Sequence, residues 1–358
     1  MRKYYLDNIR WSTVSFVVIY HVIYMFNSVT PVGIAGPFRE VQYQDTVQYI
    51  LYPWFMVLLF IVSGMCAKYY LDSHTGREFL RSRTAKLLVP STVGLLVFQW
   101  IQGIVNMKLG GAFDEMGSVP TPVLYLITAV SGTGVLWYIQ LLWLFSVLLI
   151  TVRRIEKGRL YNLCEKAAGS PVFLLLLGAA VWGASHILNT PVILVYRFGI
   201  YSVSFFIGYY VFTHEKATDT LVKYRFFTSV TAIILGIAYT VVYFGQNYAE
   251  SPVVNCPLAS AYLWFTCLAI IGMYKKYADK ENKFTRFMNR KSWGIYVFHY
   301  LPVSVCGLFL KGTLLPPVLI YIITAVSAFA GAMILYEIIS RIPVLRWCVL
   351  GITSKKGK

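Results

Sequence analysis

Arg10 and His21 stand eleven residues apart in the chain's first apolar run, NIRWSTVSFVVIYHV. A guanidinium can grip a phosphate bidentately, and a neutral imidazole can act as a general base. At about 100° per residue, eleven residues make three helical turns plus roughly 20°, so both side chains project from one helix face. The rise between them is about 16 Å, enough to put one group at a membrane surface and the other near its midplane. Ser12, Thr13, Ser15 and Tyr20 keep part of the intervening helix polar, which a lipid-facing helix would not need. A structural account of each residue stands beside this one. Arg10 would anchor the helix at the interface, and His21 would be an interhelical hydrogen bonder.

The same interval is similar to an extended pantetheine arm, so one coenzyme A could reach from a phosphate clamp at Arg10 to a base at His21. A second basic cluster supports a phosphate site. REFLRSRTAKLLVP places Arg77, Arg81, Arg83 and Lys86 within ten residues, and Arg83 and Lys86 share a face of an ideal helix. The bland account is a basic loop that only sets topology. His299, in SWGIYVFHYLPV, lies about eight residues into a later apolar run, roughly 12 Å deep and level with His21. Pro302 follows and frees a backbone carbonyl at that level. Ser63 in FIVSGM reads as a close-packing residue, or as a nucleophile if a base lies in reach. Arg197 could contact an acceptor or an oxyanion. Glu337 is expected to pair with Arg341, and His74 and His214 to be solvated. The six cysteines are scattered, with no zinc spacing, so no metal is expected.

The elements that must position these groups are membrane spans. Of the 358 residues, 58% are hydrophobic and only 13% charged, against about 25% in soluble domains. Ten apolar segments approach the ~20 residues a crossing needs. They are 11–29, 47–70, 87–107, 135–152, 171–188, 195–213, 226–245, 257–275, 291–310 and 315–339. Residues 119–131 read as a re-entrant or surface segment. With the N-terminus inside, 28 of the 32 Lys and Arg fall in inner segments, Arg39, Lys108 and Lys311 fall outside, and Arg197 lies near the outer end of the sixth span. That bias predicts both termini in the cytoplasm and explains the net charge of +17 without nucleic acid. The expected fold class is all-α: a polytopic integral membrane protein of about ten transmembrane helices. One membrane-embedded domain covers 1–358, with no separate soluble domain. No Asp or Glu lies in the middle of a span, which weighs against a proton-relay transporter.

YYLDNIRWSTVSFVVIYH resembles the signature of the acyltransferase-3 family of integral-membrane acyltransferases. The resemblance continues in order through FIVSGM, FLRSRTAKLLVP, LWYIQLLW and SWGIYVFH, and the closing YEIISRIPVLRWCVLG is similar to the subgroup of glucan-succinylating membrane proteins. It implies ten spans, a cytoplasmic acyl-CoA donor (acetyl-CoA or succinyl-CoA) and transfer to an acceptor hydroxyl, often of a carbohydrate or glycan, at the outer face of the plasma membrane. By position it implies that His21 is the catalytic base and that Arg10, Arg83 and Lys86, with Arg81 beside them, hold the donor's phosphates. Arg197, His299 and Ser63 are further candidates for substrate contact. The family's second basic pair usually ends in Arg. Here it ends in Lys86, which binds phosphate as a point charge without the bidentate geometry. Two rival readings remain. A transporter or flippase for a saccharide or lipid-linked precursor calls for inverted repeats and matched broken helices, neither of which is visible in the sequence. A non-catalytic scaffold would need neither Arg10 nor His21.

Overall fold

The computed structural model describes residues 2–30, 40–189 and 196–353, and Arg39 and the last three lysines of the tail lie outside them. Among the described residues the elements are helical, and the one extended pairing is an isolated bridge between Asn189 and Arg197. In chain order they begin with α1 (Tyr4–Phe26), α2 (Tyr43–Leu71), α3 (Gly76–Leu109), α4 (Thr121–Ser131) and α5 (Gly134–Glu156). There follow α6 (Arg159–Ala167), α7 (Pro171–Ala184), α8 (Phe198–Tyr210), α9 (Glu215–Lys223), α10 (Arg225–Tyr243) and α11 (Pro257–Tyr277). The last are α12 (Lys283–Phe298), α13 (Tyr300–Leu310), α14 (Pro317–Arg341) and α15 (Pro343–Leu350).

Seven of these helices are long and apolar enough to cross a bilayer, and α12 with α13 makes an eighth if the bent pair counts as one. The expected spans 171–188 and 195–213 fall on α7 and α8, which have 14 and 13 residues. A crossing needs about 20 residues, so the expected ten exceeds what helix length alone supports here. Hydropathy reads composition, and it carried those two spans over residues 185–188 and 196–197, which are described and not helical. The segment 119–131 is the short helix α4.

A bilayer explains the outer faces. Along α10, Val230, Ile233, Ile237 and Val241 are each more than half exposed, at the three-to-four-residue spacing of one helical stripe. In water, such a stripe would be an aggregation site; against lipid it is the expected surface.

The chain packs as two compact units. The first comprises Met1–Thr13, Thr46–Leu80 and Leu144–Asn289, and the second comprises Val14–Asp45, Arg81–Trp143 and Arg290–Lys358. The first unit is built on the crossing of α2 and α8. A Cβ at Gly64 would lie 2.0 Å from the Phe205 carbonyl oxygen, and one at Gly208 would lie 2.0 Å from the Ile61 carbonyl oxygen. Backbone meets backbone there, as small residues at a membrane helix crossing allow. Phe60 stacks on Tyr201 beside the crossing, with ring centroids 4.8 Å apart. FIVSGM is therefore a packing motif in this fold.

In the second unit, α3 is irregular. Val89 N–H reaches back five residues to the Thr84 carbonyl, and Trp100 N–H reaches back five to Leu95. Pro90 has no N–H to offer the carbonyls one turn before it, which favours the widened turn. A widened turn rotates less per residue than the ideal helix assumed for Arg83 and Lys86. Trp143 Nε1 donates to Thr84 Oγ1 at 3.1 Å and fixes the turn from α5.

The turn's other support is α15. Its closing residue, Gly351, has φ +64°, and a Cβ there would lie 2.1 Å from the Ala85 carbonyl oxygen and 2.7 Å from Lys86 Cα. Trp293 Nε1 donates to the Leu350 carbonyl at 3.1 Å and holds this end of α15 against α12. Gly351→Ala is expected to lower the thermal midpoint in detergent by the equivalent of at least about 1–2 kcal/mol of left-handed strain, plus the steric push on the Arg83–Lys86 turn. Gly158 is the control, because its φ is +83° but nothing lies within 4 Å of a Cβ there. Equal midpoint shifts for Gly158→Ala and Gly351→Ala would show that the contact with Lys86 contributes nothing.

Candidate active site

The second unit brings His21 and His299 together. His299 Nε2 lies 3.2 Å from His21 Nδ1, across 278 residues of sequence. The positioning comes from a break in the eighth span. α12 ends at Phe298, α13 begins at Tyr300, and the two limbs are bent by 51° with His299 between them. Pro302, in the first turn of α13, cannot donate to the Phe298 carbonyl, which is the usual origin of such a bend. A broken span, absent from the sequence reading, is thus present, and its corner carries a histidine.

The protonation pattern of the pair follows from its partners. His299 Nδ1 lies 2.9 Å from the carbonyl oxygens of both Ile295 and Tyr296. Two acceptors require a donor, so Nδ1 carries the proton and Nε2 of neutral His299 is bare. His21 Nδ1 lies 2.8 Å from the Val17 carbonyl oxygen and 3.2 Å from that bare nitrogen. It too faces two acceptors and carries the proton. The remaining lone pair of His21 is on Nε2, and no described residue hydrogen-bonds it. His21 is partly accessible, whereas His299 is fully buried. The pair presents one unblocked basic nitrogen.

Aromatic rings frame His21. Tyr300 lies 5.0 Å away edge-on, Tyr20 5.1 Å and Tyr24 6.2 Å. On the far side of His299, the Tyr296 hydroxyl donates to the Val135 carbonyl and its ring meets Tyr138 at 5.8 Å, tying α12 to the start of α5. Sequence reading took Tyr20 only as one of the polar residues of the first helix and passed over Tyr24 and Tyr300. Tyr20 and Tyr24 were findable as neighbours of His21 on its own helix, and Tyr300 adjoins His299. Their polar tips in an apolar run were the available signal.

The other expected residues are distributed as follows. Lys86 lies on the irregular turn of the second unit, Arg83 caps its start, and Arg81 lies in the regular helix just before it. Glu337 accepts from Lys291 and lies 4.0 Å from Arg341, as its spacing suggested. In the first unit, Arg10 donates to Asp7 Oδ1 at 3.3 Å and points Nη2 at Cys66 Sγ, 2.9 Å away. Arg197 is 6% exposed and donates to Asn255 Oδ1 at 2.6 Å, and Ser63 is buried on α2. His214, expected to be solvated, is instead buried against Tyr161 with centroids 4.2 Å apart, and burial lowers its pKa. The Glu215 carboxylate next to it is held below the usual carboxylate range, first by Lys275 and then by Lys3.

A basic histidine inside an apolar helix bundle has the chemistry to take a proton from a bound hydroxyl. A family model described as an acyltransferase domain matches residues 3–337. The chain belongs to the acyltransferase-3 family. The match runs through both compact units and stops before α15, so the helix that supports the Lys86 turn lies outside the region shared with the family. No curated protein and no solved structure matches the chain. As a member of this family the protein is a membrane acyltransferase, with the His21–His299 pair in the part of the chain the family shares.

Proposed function

We propose that the protein is an O-acyltransferase of the plasma membrane. It takes an acetyl or succinyl group from cytoplasmic acyl-CoA and places it on a hydroxyl of a carbohydrate or glycan at the outer face. The unblocked Nε2 of His21 carries this reading: a base with its other nitrogen pinned by two acceptors is poised to take a proton in one direction only. The distribution of Lys and Arg supports a cytoplasmic donor. Arg83 and Lys86, with Arg81 two residues before Arg83, are the cations we assign to the donor's phosphates in the second unit, and Arg10 is the candidate in the first. The lipid bilayer is the surrounding partner, and no nucleic acid is required.

The test is a transfer assay. Purified protein in proteoliposomes is given radiolabelled acetyl-CoA or succinyl-CoA together with a panel of glycans. Label appearing on a glycan in an ester that mild base removes is the expected result. Protein that moves sugar across the vesicle wall and leaves every glycan unlabelled would instead be a transporter.

A further inference from the structure

We propose that His299 is the positioning residue of the catalytic base, a neutral imidazole that accepts the Nδ1–H of His21 and stabilises the charge His21 acquires. The inference rests on the acyltransferase reading above, in which His21 Nε2 takes the acceptor's proton. It does not make His299 a substrate contact, because His299 is fully buried.

The geometry carries it. His299 cannot rotate freely, because its Nδ1–H is held by two carbonyls at the end of α12, both 2.9 Å away. Its Nε2 is therefore fixed as an acceptor aimed at His21. The Val17 carbonyl, 2.8 Å from the same Nδ1, already selects the resting tautomer. The distinct contribution of His299 comes later in the reaction. As the acceptor hydroxyl gives its proton to His21 Nε2, the ring becomes an imidazolium, and its Nδ1–H bond to the His299 nitrogen becomes charge-assisted. The alkoxide oxygen bonds to the acyl carbonyl carbon, the thioester C–S bond breaks, and the coenzyme A thiolate leaves. His21 Nε2–H then returns the proton to that thiolate, so both histidines end neutral. A bond that strengthens only while His21 is charged lowers the barrier without tightening ground-state binding.

A neutral partner also suits the location. A carboxylate in this role would be a permanent buried charge at membrane depth whenever His21 is neutral. A second imidazole offers the same lone pair and no charge. The last turn of α12 supplies what that imidazole needs, the carbonyls of Ile295 and Tyr296 to hold its opposite nitrogen.

The experiment has two arms. In the first, kcat and KM are measured with acetyl-CoA for wild type, His299→Leu and His299→Gln. Leu removes the acceptor, and Gln restores one. The expected result for Leu is a roughly 10- to 100-fold fall in kcat, the range found for partners that orient a catalytic ligand, with donor KM within about threefold. Gln should recover most of that loss. A Gln variant as slow as the Leu variant, or a fall confined to KM, would overturn the proposal. The second arm uses wild-type protein with histidine-selective ¹⁵N labelling and needs no turnover. Solid-state NMR should show a protonated His21 Nδ1 hydrogen-bonded to an unprotonated His299 Nε2. A protonated His299 Nε2, or no contact between the two nitrogens, would overturn it even if both variants misfold. Wild-type protein that shows the contact and transfers no acyl group from either acetyl-CoA or succinyl-CoA would sink the acyltransferase chemistry, and with it the catalytic use of the pair.

Discussion

His21→Ala is expected to slow acyl transfer by about 10²- to 10⁴-fold, the usual contribution of a positioned general base. The size follows from the pair's wiring. Nε2 of His21 is the nitrogen left unprotonated and, among the described residues, unengaged, and His299 cannot replace it, because His299 is fully buried and its own free lone pair is spent on His21. Donor binding should change little, since the cations assigned to phosphate lie elsewhere on the chain. The alanine variant is therefore expected to bind acyl-CoA within about threefold of wild type while kcat collapses, the pattern of a group used mainly in the transition state. Exogenous imidazole, small enough for the vacated space, should restore part of the rate. The fold should survive, because His21 is partly accessible and its own hydrogen bonds are one carbonyl and one imidazole. An alanine variant that transfers label at the wild-type rate would remove His21 from the mechanism.

The second large effect is on folding. Gly64→Val and Gly208→Val are each expected to abolish monodisperse protein in detergent, read by fluorescence-detected size-exclusion chromatography. In both cases the obstacle is a backbone carbonyl 2.0 Å from the new Cβ, so no side-chain rotation relieves it and the two helices must separate. Overpacking a well-packed site costs about 1–3 kcal/mol, and more where backbone must shift. Ser63→Ala, one residue before Gly64, removes a single oxygen and should leave the elution profile unchanged. If that variant also keeps wild-type transfer, Ser63 is not a nucleophile and FIVSGM is a packing motif alone. A Gly64→Val protein that elutes and melts like wild type would show that α2 and α8 do not cross as closely as described.

The helical class, the run of apolar helices and the two histidines were all legible in the sequence, each for a local reason. A spanning helix must satisfy its backbone within itself, so long apolar runs leave few other structures open. An imidazole in such a run is costly enough to stand out. What hydropathy could not read was where helix stops, and α7 and α8 are shorter than the apolar runs that contain them. The widened turns of α3 were equally hidden, although Pro90 marked one of them. Shared-face arithmetic for Arg83 and Lys86 assumed an ideal helix that this turn is not.

By itself the sequence determined that the protein is a helical membrane protein, that Arg10 and His21 lie on one helix, and that the motifs of an acyltransferase run in order along the chain. Only the tertiary structure decided that His21 has a partner. Two residues 278 positions apart leave no periodic trace of their contact, because periodicity reports one element at a time. The tautomers were out of reach for the same reason. Which nitrogen of His21 is free depends on a carbonyl of its own helix and on a ring held at the corner of another. The Val17 carbonyl can set the tautomer of His21 from within its own helix, and the broken span adds the second ring that it faces.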